Sequence, residues 1–231
     1  MAGGTVRWAT CPSSSPVVCS SRFVPHRSSR LVYPDPVTRI IAGRAKGHRL
    51  RTPAHSATRP TTDRVREAAF SLVADWAGTL GEPADEQLAG LAFLDLYAGS
   101  GAVALEAASR GAKPVWAVES DPATARIARG NAGTTGLGVT VVAGTVERTL
   151  AGTPPVGFDV VWADPPYALD GDRLAAVLVA VVDGGWLADD GLLVVERAGR
   201  DLPPVFPPQV CESWLRRYGE TTLHLARRTT E

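Results

Sequence analysis

The sequence predicts an α/β protein: a mostly parallel sheet with helices on both faces, an antiparallel hairpin at its C-terminal edge, and a basic N-terminal β-hairpin. Three observations lead there. From Leu91 onward, continuous Val/Leu-rich runs alternate with helix-like stretches, the pattern of parallel strands buried on both faces. A glycine turn, Gly99-Ser100-Gly101, joins the first such run to the first such helix. The zero net charge hides an asymmetry: residues 1–66 hold 12 of the 24 Lys/Arg against Asp35 and Asp63 alone, a net +10, and the remainder carries −10. That split describes a basic arm suited to a polyanion on an acidic body. The 231 residues, 45% hydrophobic and 21% charged, suffice for one large α/β domain with appendages. No apolar run approaches the roughly 20 residues that span a membrane. Cys11, Cys19 and Cys211 offer neither CxxC spacing nor an even disulfide set, so no metal is expected.

Residues 1–37 read as a disordered leader, with seven serines, five prolines and four arginines before position 37 and little periodicity. Their Arg/Ser-rich, acid-poor composition also fits a transit segment, and a translation start at Val37 would remove residues 1–36 altogether. Residues 38–58 form the arm. TRIIAG and HRLRTP flank the turn-rich Arg44-Ala45-Lys46-Gly47, predicting a β-hairpin. Arg39, Arg44, Lys46, Arg49 and Arg51, with Arg59 and Arg64 beyond, form a basic run nearly free of acids and are the candidate RNA contacts; the plainer alternative is a solvated charged face. Alternation about Leu50 places Arg49 and Arg51 on one face.

Residues 59–231 form the α/β domain. Thr62 or Asp63 caps a first helix whose Val65, Ala69, Leu72, Val73 and Trp76 share a face. A loop from Gly78 to Gly90 leads into LAFLDLY and AVALEAASR, PVWAVES and PATARIARGN, VTVVAG, FDVVWAD and DRLAAVLVAVV, and GLLVVER. ESWLRRY and TTLHLAR, joined near Tyr218-Gly219, close the chain as the edge hairpin.

Gly99, Gly101 and Ala104 satisfy GxGxx(G/A), and Glu119 ends the second strand 18 residues beyond Gly101. A dinucleotide site would use such glycines for a tight turn and the acid for ribose hydroxyls. Asp95, four residues before Gly99, opposes that reading, because a carboxylate at the first strand's tip repels a pyrophosphate. D-x-x-x-G-x-G followed by an acid ending strand two resembles the binding loop of class I S-adenosylmethionine (SAM) methyltransferases, whose fold is Rossmann-like. The resemblance implies a cofactor with an ammonium and a sulfonium group in contact with Asp95, Tyr97, Ala98, Gly99, Ser100 and Gly101. Glu119 and Ser120 would meet its ribose. Thr145, in AGTVER after strand three, stands where an acid near the adenine is more usual, so a backbone group could serve there instead.

FDVVWADPPY ends the fourth strand in an acid, two prolines and an aromatic. Alone it would be a turn, since proline removes a ladder donor. At a strand's carboxyl end in an open parallel sheet it falls where ligands bind, together with Asp95 and Glu119. There it resembles the (N/D)PP(Y/F) motif of amino-directed methyltransferases. Asp164 and the Pro165 carbonyl would accept the two N–H groups of an exocyclic amine, Pro165 and Pro166 would hold those acceptors rigid, and Tyr167 would stack on an extruded base.

RPTTDRVREAAF (59–70), LDLYAGSGAVALEAASRGA (94–112), ADPPY (163–167) and YGET (218–221), with TRIIAG at the start, together resemble the RsmD family over about residues 38–231. The resemblance implies SAM-dependent methylation of a guanine N2 amine in 16S rRNA within the small ribosomal subunit. It further implies a monomeric enzyme in the cytoplasm, with no membrane partner. Arg59, Pro60, Thr61 and Arg64 match the RPTTDR stretch and fall near the rRNA or the cofactor pocket. The leader and Trp162 depart from the family pattern, and neither is expected to touch the chemistry. N6-adenine or glutamine-amide methylation, a non-catalytic RNA-binding assembly factor and a nicotinamide dehydrogenase are the competing functions. The basic arm disfavours the protein substrate, the intact DPPY and glycine loop disfavour the non-catalytic factor, and Asp95 disfavours the dehydrogenase.

Overall fold

The computed structural model describes residues 38–53 and 63–228. The leader, the stretch 54–62 with Arg59, Pro60, Thr61 and Thr62, and residues 229–231 lie outside the described residues. The arm is β1 (Thr38–Arg39) paired antiparallel with β2 (Arg49–Leu50). A helix α1 (Asp63–Trp76) precedes the wound region: β3 (Phe93–Leu96), α2 (Ala102–Ser109), β4 (Val115–Glu119), α3 (Pro122–Thr135), β5 (Thr140–Ala143). It continues through α4 (Val146–Leu150), β6 (Phe158–Ala163), α5 (Gly171–Asp183), β7 (Leu187–Ala198), β8 (Val210–Tyr218) and β9 (Thr221–Arg228).

Seven strands form one sheet in the order β5-β4-β3-β6-β7-β9-β8. The first five run parallel, and β9 pairs antiparallel with both β7 and β8, which makes the predicted edge hairpin. Apolar residues on both sides of the central strands β3, β6 and β7 explain why helices cover both faces. On one face Phe93, Val160, Trp162 and Val194 pack against Ala69, Phe70 and Val73 of α1 and Ala104 and Ala108 of α2. On the other, Leu94, Val161, Leu193 and Val195 pack against Val146 and Leu150 of α4 and Leu174, Val177 and Val181 of α5. The chain switches direction between β3 and β6, where an open sheet leaves a crevice at its carboxyl edge.

Three details differ from the sequence reading. Between β5 and β6 lies α4, a helix of five residues and too short for an apolar period to show. β7 begins at Leu187, ahead of the GLLVVER run, and its register with β6 shifts between Phe158 and Val160. The inner face of α1 centres on Phe70, fully buried and stacked on Trp162 with ring centroids 6.5 Å apart, whereas Leu72 and Trp76 are half-buried.

The arm is held by the body. Glu106 of α2 accepts from the backbone N–H of Ile41 at 2.7 Å and of Ala42 at 3.0 Å, and pairs with Arg110 at 2.9 Å. Gly43 has φ +77° and lies so close to Ser109 that a Cβ would overlap its carbonyl, so only glycine fits. Ile40 and Leu50 pack on Leu105 beneath.

Candidate active site

The register sets the site. Asp95 pairs with Ala117 on β4 and Trp162 on β6, so the acids Asp95, Glu119 and Asp164 fall at the ends of three adjacent strands. They open onto one cleft of about 550 Å³.

Asp95 is 1% exposed and accepts from the Ala104 N–H at 3.0 Å, a bond that draws the first turn of α2 toward β3. Burial pushes its carboxyl well above the usual carboxylate range, and the negative charges of Asp164 and Glu119 push the same way. Glu119 clamps the glycine loop: it accepts from the Gly99 N–H at 2.9 Å and the Asp121 N–H at 2.7 Å. A carboxylate has about four acceptor positions; the Ser120 hydroxyl takes a third through a long bond of 3.4 Å, so one remains free for a ligand's hydroxyl. Gly101 caps α2 with φ 81°, which lets the loop reverse into the helix. Tyr97 also has positive φ, 64°, in the first loop position, a strained conformation for a bulky residue. Its hydroxyl is buried without a hydrogen-bond partner, and burial raises its pKa to about 12.

Asp164 sits deep among protein atoms on most sides and open to the cleft on one; burial pushes its carboxyl up to about 6, against a smaller downward pull from Arg197. Its own N–H donates to Leu96 O at 3.4 Å, which ties the DPPY turn to β3. The acids Asp95, Glu119, Glu147 and Asp164 outnumber the guanidiniums of Arg66 and Arg173 in the cleft wall, an excess that fits a cationic ligand and opposes a pyrophosphate.

The cleft brings together Asp95, Tyr97, Ala98, Gly99, Ser100, Glu119, Ser120 and Thr145 with Asp164 and Pro166. It does not include Gly101, Pro165 or Tyr167 in its wall. Pro165 is buried and Tyr167 is 56% exposed, outside the cleft wall and open to solvent. The Thr145 hydroxyl caps α4 by accepting from Arg148 N at 3.2 Å, and beside it Glu147 and Arg173 pair at 3.1 Å across the cleft wall. Two wall residues carried no functional signal in the sequence. Trp162 lines the cleft, its indole N–H buried without a partner, because β6 delivers it two residues before Asp164. Arg66 lines it too, 1% exposed, with its guanidinium pKa lowered by burial, and donates to Asp63 and the Arg39 carbonyl. Thr38, Thr52 and Pro53 make the arm a wall of the same cleft.

The candidate RNA contacts divide. Arg49 and Arg51 are exposed on either side of buried Leu50, and Lys46 and Arg64 are exposed as well. Arg39 pairs with Asp63 at 3.2 Å, and Arg44 donates to the Ala108 carbonyl at 2.9 Å, so both also hold the arm in place.

A family model described as "Conserved hypothetical protein 95" matches residues 38–227. The "Ribosomal RNA small subunit methyltransferase D" of Escherichia coli K12 is 33% identical over 169 residues, covering 73% of this chain and 79% of the relative. Its namesake in Haemophilus influenzae is 29% identical over 188 residues, covering 80% and 88%. The structure of a hypothetical protein from Thermus thermophilus superposes with TM-score 0.66 at 35% identity, covering 82% of this chain and 98% of that one. An RNA methyltransferase from Salinibacter ruber, in complex with S-adenosyl-L-homocysteine, shares the fold at TM-score 0.53 and 19% identity, over 75% and 95% of the two chains. The architecture is the Rossmann-like class I methyltransferase fold.

Proposed function

Because the chain belongs to the RsmD family, whose members include rRNA methyltransferases, we propose that it methylates the exocyclic N2 amine of a guanine in 16S rRNA, using SAM. The observation that carries the reading is the convergence of Asp95, Glu119 and Asp164 on one cleft, with Asp164 and Pro166 of DPPY in its wall. The residues present fit the cofactor. Asp95 and the acids beside it suit an ammonium and a sulfonium, and Glu119 keeps acceptor capacity for a ribose. A carboxyl raised by burial and by like charges gains most from a bound cation. When bound, SAM supplies an electrophilic methyl group.

The rest of the work belongs to this chain. The guanine N2 amine is a weak nucleophile because its lone pair is delocalised into the ring. Asp164 as carboxylate, together with the Pro165 carbonyl, accepts its N–H groups and favours a pyramidal nitrogen. The two prolines hold these acceptors in place, so little reorganisation is needed in the transition state. Tyr167, exposed beside the floor, offers a face for a base drawn out of the RNA, an interaction worth about 1–3 kcal/mol. The exposed Lys46, Arg49, Arg51 and Arg64 meet phosphates.

The test is transfer of labelled methyl from SAM to small subunits lacking the modification, followed by nucleoside analysis. N2-methylguanosine, lost in Asp164→Ala, is the expected product. N6-methyladenosine, or no transfer to the particle, would overturn the assignment.

A further inference from the structure

The side chain of Asn131, on α3 and 2% exposed, bonds to two separate parts of the molecule. Its Nδ2 donates to the Ser100 carbonyl in the glycine loop at 2.9 Å and to the Arg51 carbonyl in the arm at 3.0 Å. Its Oδ1 accepts from the Arg51 N–H at 2.9 Å. One buried amide therefore joins the loop that faces the cofactor cleft to the backbone that carries Arg49 and Arg51. A second link runs through Arg66, which lines the cleft and donates to the Arg39 carbonyl.

The arm needs such links. Among the described residues its own ladder has two residue pairs, Thr38 with Leu50 and Arg39 with Arg49, and an isolated two-stranded ribbon is marginal in water even when longer. Its order is borrowed from Glu106 at the turn and from Asn131 at the end of β2. Inward it supplies Thr38, Thr52 and Pro53 to the cleft; outward it presents Arg49 and Arg51. A ligand that fills the cleft thus fixes the same backbone that an RNA would have to fix.

We infer that Asn131 is a positioning residue that couples the cofactor cleft to the basic arm, so that cofactor and RNA each tighten the other's binding. The inference rests on the cofactor and RNA reading above. Whichever ligand binds first meets the ordering cost of the arm, and the second finds it ordered. Linkage requires the two effects to be equal in size.

Two measurements test it. In the first, hydrogen exchange is followed in the wild-type chain with and without S-adenosylhomocysteine, in the absence of RNA. The amides of Leu50 and Arg51 should become more protected on binding, although β2 lies outside the cleft wall; unchanged protection with the site saturated overturns the coupling. In the second, affinity for methyl-deficient small subunits is measured with and without saturating S-adenosylhomocysteine. Wild type should bind about fivefold or more tightly with it, the lower end of ordinary coupling. Asn131→Asp keeps the acceptor for Arg51 N–H and loses both donor bonds, so the enhancement should fall below about twofold. Equal wild-type affinities in the two conditions, or a full enhancement in a folded Asn131→Asp, overturn the inference. No particle binding under any condition overturns the RNA reading and this inference with it, whereas failed protection with intact particle binding removes the inference alone.

Discussion

Replacing Asp164 by asparagine should stabilise the fold at neutral pH while lowering, but not abolishing, the activity. The carboxyl is raised from 3.8 to about 6, because burial disfavours its charged form. The folded pKa lies above the unfolded one, so the folded state holds the extra proton between them. The resulting stability is fully present below about pH 4 and is lost as pH rises through about 6. At neutral pH the wild-type chain therefore carries an ionised group that it would be more stable without. A shift of about two units corresponds to about 3 kcal/mol at most. Asp164 is open to water from the cleft, so screening reduces this, and about 1 kcal/mol is the working expectation. In a domain of this length that raises the melting temperature by about 2–4 °C. Asparagine keeps the shape and one acceptor oxygen, so packing changes little.

Thermal melts of both proteins at about pH 7.5 and about pH 4 give the assay, with methyl transfer measured alongside. The variant should melt higher at neutral pH, match the wild type in acid, and transfer methyl more slowly. A variant that melts below the wild type at neutral pH would refute the reasoning. A difference of the same size at both pH values would refute it too, because the gain would then not come from the ionised carboxylate.

Three further outcomes follow from the same geometry. Glu106→Ala leaves buried Arg110 without its carboxylate partner, Gln87 remaining, and two arm N–H groups without an acceptor, so urea melts should show a loss of about 3–5 kcal/mol, and a loss below about 1 would mean the arm holds without this clamp. Protonation of Asp164 as pH falls through about 6 removes charge from the cleft, so calorimetry should show SAM affinity falling more steeply than that of S-adenosylhomocysteine, which lacks the sulfonium charge; equal slopes would show that the carboxylate does not sense that charge. Arg49→Ala with Arg51→Ala should reduce the salt dependence of RNA binding by a slope of about 0.7–0.9 for each phosphate no longer neutralised, read from titrations at several salt concentrations, and an unchanged slope would mean both arginines are merely solvated.

The strand pattern was legible because parallel strands buried on both faces must be apolar throughout. FDVVWA and GLLVVE declare themselves without any partner. Asp95, Glu119 and Asp164 were legible for a related reason: a charge ending such a run has to lie at the sheet's edge, and in a parallel sheet the carboxyl edges coincide. α4 was not legible, since five residues carry too little period. Trp162 and Phe70 were not legible as a pair either. Their stacking depends on where α1 crosses the sheet, which no local pattern encodes. Arg66 follows the basic run closely in sequence and is distinguished from it by no local pattern, yet tertiary packing draws it into the cleft wall beside Asp63. Burial of a guanidinium in this way lowers its pKa and leaves its charge inside the body rather than on the RNA-facing side.

The charge split between the first 66 residues and the rest suggested an arm and a body, each with its own task. The hydrogen bonds describe a closer relation. A ribbon with two described pairs contributes too little of its own to stand alone, and its described contacts with the body are made mostly through polar groups: Glu106, Ser109 and Asn131 hold its backbone, while Ile40 and Leu50 supply its small apolar foot. Polar clamps of this kind fix direction more than they add stability, because each bond replaces one to water and nets only about 1 kcal/mol. The direction they fix is the useful quantity here. It holds Arg49 and Arg51 outward while Thr38, Thr52 and Pro53 complete the cleft in which Asp95, Glu119 and Asp164 meet. A basic segment recruited only for its charge would need no buried acceptor under each turn. One whose inner edge also forms the cofactor cleft does, and that requirement accounts for a glycine at position 43 and an amide at position 131.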